Sequence, residues 1–210
     1  MEFAVLGWPP TGPTLRLDFR RFAYAGKFVM SNTGKAVVRN DGEYGTDESL
    51  ETPTEVDADE FEDDIVAALA FNEDRTDGDT LWYRYITVRA DARGEGLGPR
   101  LATFLAPKAA QRGYERLRIA VNNPFAYEAM YKAGFGWTGR ESGVAELVLG
   151  RPAEPTEAAT RDRSKERYRD GLRLYRERNL GEPEESFLAA RTDADTPERT
   201  GPHRPSDPDD

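Results

Sequence analysis

Three glycines, Gly94, Gly96 and Gly98, fall within five residues. Before them runs Thr80–Val88, TLWYRYITV, whose β-branched and aromatic content predicts a strand. After them Leu101, Phe104, Leu105 and Ala109 recur at helical spacing. Pro99 suits the first turn of that helix, having no N–H to leave unpaired, and Pro107 predicts a kink. Glycine lets the backbone turn several N–H groups to one side, and the helix start adds the positive end of its dipole. Strand, glycine loop and helix start together predict a seat for phosphate or pyrophosphate. The Gly-Lys-Ser/Thr ending of a P-loop is absent, and Pro99 stands where the dinucleotide fingerprint needs its third glycine. Arg93, Gly96 and Gly98 fit a third spacing, Arg-x-x-Gly-x-Gly.

A second constellation is 123–135, NPFAYEAMYKAGF. Asn122, Asn123 and Pro124 open a short helix, Tyr127 and Tyr131 share one of its faces, and Gly134 supplies a left-handed end. The strand Arg116–Val121 separates the two constellations. Val88 through Leu101 resembles the acetyl-CoA-binding motif of the GCN5-related N-acetyltransferases (the GNAT family), and 123–135 resembles that family's second motif. The resemblance covers about 64–150 well and 15–63 poorly, because no pair of helices is legible after the first strand.

The resemblance implies an α/β fold with a mixed, mostly antiparallel central sheet flanked by helices. It implies acetyl-CoA as co-substrate, no metal, and a primary amine acceptor, small molecule or peptide, attacking directly in a ternary complex. Pantetheine is expected along Ile86, Thr87 and Val88. Pyrophosphate is expected on Arg93, Gly94, Glu95, Gly96, Leu97, Gly98 and Pro99. Asn123 or Asn122 is expected at the coenzyme arm, and Tyr131 as the acid that protonates the departing thiolate, with Tyr127 competing for that role. Glu73, Asp74, Tyr83 and Tyr85 are open alternatives for a base. A non-catalytic acyl-CoA-binding sensor or interaction module is the alternative function.

The supporting elements follow from pattern. Residues 1–14 are rich in Pro and Gly and read as irregular. Leu15, Leu17 and Phe19 alternate with Arg16, Asp18 and Arg20, so 15–39 reads as two strands joined by a turn at Asn32-Thr33-Gly34. A buried strand is expected near 64–72, although Asp57 or Asp59 could instead cap a helix there. Glu146–Leu149 is the last expected strand of an acetyltransferase domain spanning 15–150. Residues 151–190 read as a polar linker and an appended helix at 164–180, ended by Gly181 and Pro183. Tyr168, Leu172 and Tyr175 form that helix's apolar face; its basic face is expected to pair with acidic surface of this chain or of a second copy in a homodimer. The polar 191–210 reads as disordered.

Composition narrows the chemistry. The 210 residues hold no Cys and one His, His203, which excludes disulfides, thiolate metal sites and cysteine nucleophiles. No apolar run approaches the roughly 20 residues of a membrane span, and the N-terminus lacks a signal-peptide pattern, so a cytoplasmic protein is expected. A net charge of −10 argues against nucleic acid as partner. Residues 41–74 carry 14 Asp/Glu and no Lys or Arg, a stretch that could draw in a cationic amine. Only 5 of the 29 basic residues are Lys; acidity with scarce Lys and no Cys points to a cytosol of very high salt, which screens self-repulsion.

Overall fold

The computed structural model describes residues 1–42, 61–143, 145–154 and 163–201. Asp57 and Asp59, and most of the acidic stretch, lie outside the described residues. The fold is mixed α/β. Seven strands, β1 (Glu2–Gly7), β2 (Gly34–Arg39), β3 (Ile65–Glu73), β4 (Thr80–Val88), β5 (Arg116–Val121), β6 (Gly136–Glu141) and β7 (Leu147–Pro152), form one sheet in the order β1-β2-β3-β4-β5-β7-β6. Every neighbouring pair is antiparallel except β4 and β5.

Helix α1 (Leu97–Ala110) lies over β2, β3 and β4, and α2 (Pro124–Lys132) packs against α1 and β5. Helix α3 (Lys165–Arg176) packs on β6, and α4 (Glu182–Ala189) on α2 and α3. Ala36, Val38, Leu69, Phe71, Leu81 and Tyr83 share the core with α1, whereas Val37, Ala68 and Ala70 face a second cluster built by Leu15, Leu17, Phe22, Ala25 and Phe28. The alternation of β2 and β3 thus serves two buried faces, which is why the run IVAALAF is apolar throughout.

Several sequence expectations are corrected. The N-terminus is not irregular throughout: β1 forms the sheet edge, pairing Glu2 with Arg39 through Val5 with Ala36. Residues 15–19 are not a strand. Leu15 donates its N–H to Phe28 and is buried with Leu17, but Phe19 is 57% exposed. Alternation there reports one buried side, without a ladder partner. Helix α1 runs on through Pro107 without a break, the proline lying in its last turn. Gly181 and Pro183 do not end the appended helix; α3 stops at Arg176, and the two residues open α4 as its N-cap and first turn. Residues 191–201 are irregular but bonded to the body: Thr200 N–H reaches Lys132 O at 2.8 Å, and Arg163 reaches Pro197 O at 3.0 Å. Strand β6 had no counterpart among the strands expected from sequence. Among the described residues no helix is long and apolar enough to cross a membrane.

Candidate active site

Strands β4 and β5 pair only from Thr80 with Arg116 to Tyr83 with Ile119. At that point β4 gains one residue against β3: Phe71 pairs with Tyr83, but Ala70 pairs with Tyr85, leaving Arg84 as a bulge. A bulge bends its strand and re-aims the residues beyond it. Before it, Leu81 and Tyr83 face α1; after it, Ile86 and Val88 do, while Tyr85 packs toward the second cluster. Beyond the bulge β4 keeps its ladder to β3 and loses β5, so the sheet opens into a wedge.

Backbone alternation fixes which groups look into the wedge. Arg89 N–H is bonded to Val66 O on the β3 side, and Val88 O accepts from Arg93 Nε at 3.3 Å on the other. The N–H and C=O of Ile86 and Val88 therefore point to the open side. Of the three predicted pantetheine residues, Thr87 turns its backbone to β3 and its buried side chain away from α1.

The turn from β4 into α1 is built as the glycine spacing predicts. Gly94 and Gly96 have φ of +90° and +77°, and a Cβ on either would meet nothing within 4 Å. Gly96 is the N-cap of α1 and caps nothing with a side chain, so first-turn N–H groups at Leu97 and Gly98 lack an intrahelical partner. Gly98 instead packs inward, its Cβ position 3.6 Å from Val88 and 3.8 Å from Ile86. Leu97 and Pro99 are buried and anchor the helix start, and Glu95 lies at the exposed tip. The cradle has room and donors for a diphosphate. Arg93 ties the turn to the end of β4, so its side chain serves first as a brace.

Sequence reasoning missed the residues that hold this turn. Arg89, 2% exposed, grips Asp91 with two bonds of 2.8 and 3.0 Å. Ala90 N–H reaches Arg21 O at 3.0 Å, and Asp18 binds Arg20 and approaches Arg21 at 3.7 Å. The signal was the Arg-x-Asp spacing beside the glycines, which a sequence cannot tell from surface charge.

Asn123 and Tyr131 sit elsewhere than expected. Asn123 Oδ1 accepts Ala126 N–H at 2.8 Å and is the N-cap of α2. Asn122 faces the wedge instead, its Nδ2 3.4 Å from the hydroxyl of Tyr24. Tyr131 is fully buried: its hydroxyl accepts Trp137 N–H at 3.0 Å and lies 3.3 Å from that of Tyr127. Burial pushes its pKa up, though the bonds from Tyr127 and Trp137 oppose this. The cause is α3, whose Tyr168 and Tyr175 stack on the same α2 face. Tyr131 is thereby a fully buried core group, and Tyr127 is buried with it.

Tyr24 brings a phenol to the wedge beside Tyr85. Its φ of +60° is uncommon for a non-glycine residue. The side chain is half exposed, its ring 6.2 Å from that of Tyr85 on β4 and its hydroxyl near Asn122 after β5, so it spans the two walls.

On the face opposite α1 a pocket of about 540 Å³ adjoins the bulge, lined by Asn72, Asp74, Arg75, Trp82, Arg84 and Tyr85 among others. Of the alternatives for a base, Asp74 and Tyr85 line it. Asp74 is held at a pKa of about 2, first by the Thr76 N–H and then by Trp82, so it is a poor proton acceptor at neutral pH. Tyr83 is buried and donates to Ala102 O, and Glu73 accepts from Tyr114. Among the described residues no group of three or more acidic or His side chains could hold a metal ion. Arg169 of α3 lies 3.9 Å from Asp193, and Arg178, just beyond α3, lies 3.8 Å from Glu141, so these bases meet this chain's own acids.

No curated protein matches the chain. Among solved structures it is similar to an N-acetyltransferase from Staphylococcus aureus Mu50 (17% identity, 58% of this chain and 68% of that one, TM-score 0.43). It is also similar to Tetrahymena GCN5 (15%, 63% and 76%, TM-score 0.43) and to a nourseothricin acetyltransferase (16%, 73% and 98%, TM-score 0.44). The stronger finding comes from sequence: residues 32–136, which run from the start of β2 through the wedge, the glycine turn and α2, match the Acetyltransferase (GNAT) family. With half of its length matched, and with that half holding β4, β5 and the glycine turn, the chain belongs to the GNAT family of N-acetyltransferases.

Proposed function

We propose that this protein transfers the acetyl group of acetyl-CoA to a primary amine in a ternary complex. The observation that carries the reading is the wedge. The four strand residues past the bulge, Tyr85 to Val88, lack a β5 partner, and they lead straight into a turn with two open, positive-φ glycines.

Acetyl-CoA supplies a thioester: the neutral amine nitrogen forms the new C–N bond, the C–S bond breaks, nitrogen gives up a proton and sulfur gains one. The chain's part is to position and to stabilise charge. The turn from Arg93 to Gly98 binds diphosphate through N–H groups and the α1 dipole. Ile86 and Val88 offer N–H and C=O groups along the wedge, the N–H groups facing the oxygen on which charge develops. Tyr24 is the phenol placed to give the thiolate its proton. Tyr131 holds α2 and α3 together. The acidic, Lys-poor composition supports work at high salt in the cytosol, so assays belong at both low and molar salt.

Gly96→Glu tests the reading. It puts a carboxylate into the diphosphate seat and forces a side chain to φ +77°. Calorimetric affinity for coenzyme A should fall at least about a hundredfold. Unchanged affinity would refute the turn as the coenzyme seat. Coenzyme binding without thiol release across a broad amine panel would leave the non-catalytic acyl-CoA sensor standing.

A further inference from the structure

The pocket beside the bulge carries an unbalanced charge. Arg84, the bulged residue itself, donates Nε to Asn72 Oδ1 and lays its guanidinium over the Trp82 ring at 5.1 Å. Among the described residues its two terminal nitrogens have no protein acceptor. Burial depresses the Arg84 pKa; the charge of Asp74 opposes this, and the like charge of Arg75, lining the same pocket, adds to it. Lys27 lies 5.8 Å from the ring of Tyr85, which lines the pocket.

Asp74 is the one carboxylate among the lining residues described, and its hydrogen bonds go to partners other than Arg84. It accepts the Thr76 N–H and hydroxyl, both at 2.8 Å, and the Trp82 indole N–H, and lies 3.8 Å from Arg118. The pocket is a poor host for a cationic or polyamine acceptor. Of the described part of the acidic stretch, Asn72 and Asp74 line it.

We infer that this pocket selects an amine that also bears a carboxylate, an amino acid being the simplest such acceptor. The inference rests on the transferase reading above and names its second substrate. A guanidinium held in plane by Asn72 and Trp82 presents a fork that fits a carboxylate with two parallel bonds. An anion there compensates the two cations that line the pocket. With the carboxylate on Arg84 and Arg75, the amine lies toward Tyr85, where the bulge opens the wedge.

The test uses the full chain loaded with coenzyme A, titrated with the standard amino acids and with their decarboxylated counterparts, such as phenethylamine for phenylalanine. At least one amino acid should bind about tenfold or more tightly than its decarboxylated partner. Arg84→Gln should abolish that preference with coenzyme affinity unchanged. Arg75→Gln, an exposed position with little folding risk, should weaken it. Equal binding of the amine lacking the carboxylate, no binding by any amino acid, or a preference that survives both substitutions overturns the inference. Thiol release from acetyl-CoA separates the two readings. A carboxylate preference without turnover removes the transferase and keeps the pocket. Turnover of amines without that preference does the reverse.

Discussion

Gly96 and Gly171 stand at two corners of the molecule and are glycine for opposite reasons. Around Gly96 a Cβ would meet nothing within 4 Å; the residue is there for its positive φ and for what the space admits. Inside α3, a Cβ on Gly171 would lie 2.0 Å from the Tyr127 hydroxyl and 2.4 Å from its ring carbon Cζ. There the space is already filled by the protein's own phenol. The tyrosines divide the same way. Tyr24 and Tyr85 lie at the open wedge, while Tyr127, Tyr131, Tyr168 and Tyr175 close the α2–α3 interface, with rings 4.8 to 5.7 Å apart across their contacts. A glycine or tyrosine in this sequence is thus read by what occupies the space around it.

The contrast can be broken at the packed corner first. Gly171→Ala should cost about 3 kcal/mol, the upper range for overpacking a core, and lower the melting temperature by roughly 5–10 °C. Coenzyme affinity of the folded fraction should not change. A neutral effect on thermal melting would mean the α2–α3 contact is looser than these distances imply.

The tyrosines give the next test. Tyr24→Phe should lower kcat at least about tenfold with coenzyme affinity intact. Tyr131→Phe should leave kcat alone and cost about 1 kcal/mol in stability, by removing the acceptor of the Trp137 N–H. The reverse outcome in steady-state kinetics would return the acid role to Tyr131.

The smallest effect concerns pH. Asp74 is held at about 2, against an ordinary 3.8, so its folded-state pKa is depressed. Its stabilisation is fully present above about pH 4 and is lost as pH falls toward 2. In acid titrations followed by circular dichroism, Asp74→Asn should lose stability at neutral pH and show a flatter decline over that window.

Much of this was readable in advance, and the failures share a cause. Strand β4, helix α1 and the glycine turn between them are local: β-branched residues, a helical period and three glycines state them outright. Helix α3 was legible from Tyr168, Leu172 and Tyr175, yet what they cover was not. The fate of Tyr131 is decided by α3, some 40 residues on, and its spacing from Tyr127 is the same for a ligand-facing pair as for a packed one. Strand β1 hid because Pro9 and Pro10 follow it so closely. The pairing of Arg89 with Asp91 and the bulge at Arg84 are facts of register, set by the partner strand.

That extra residue in β4 has a reach beyond its own position. Side chains on a strand alternate, so flattening the bulge with all its residues kept would swap sides for every residue from Tyr85 to Val88. Tyr85 and Thr87 would be driven into the floor beneath the helix, and Ile86 and Val88 would be turned out of it. Deleting Arg84 itself would do the opposite, leaving Tyr83 and Tyr85 on their present partners and sides while removing the bend.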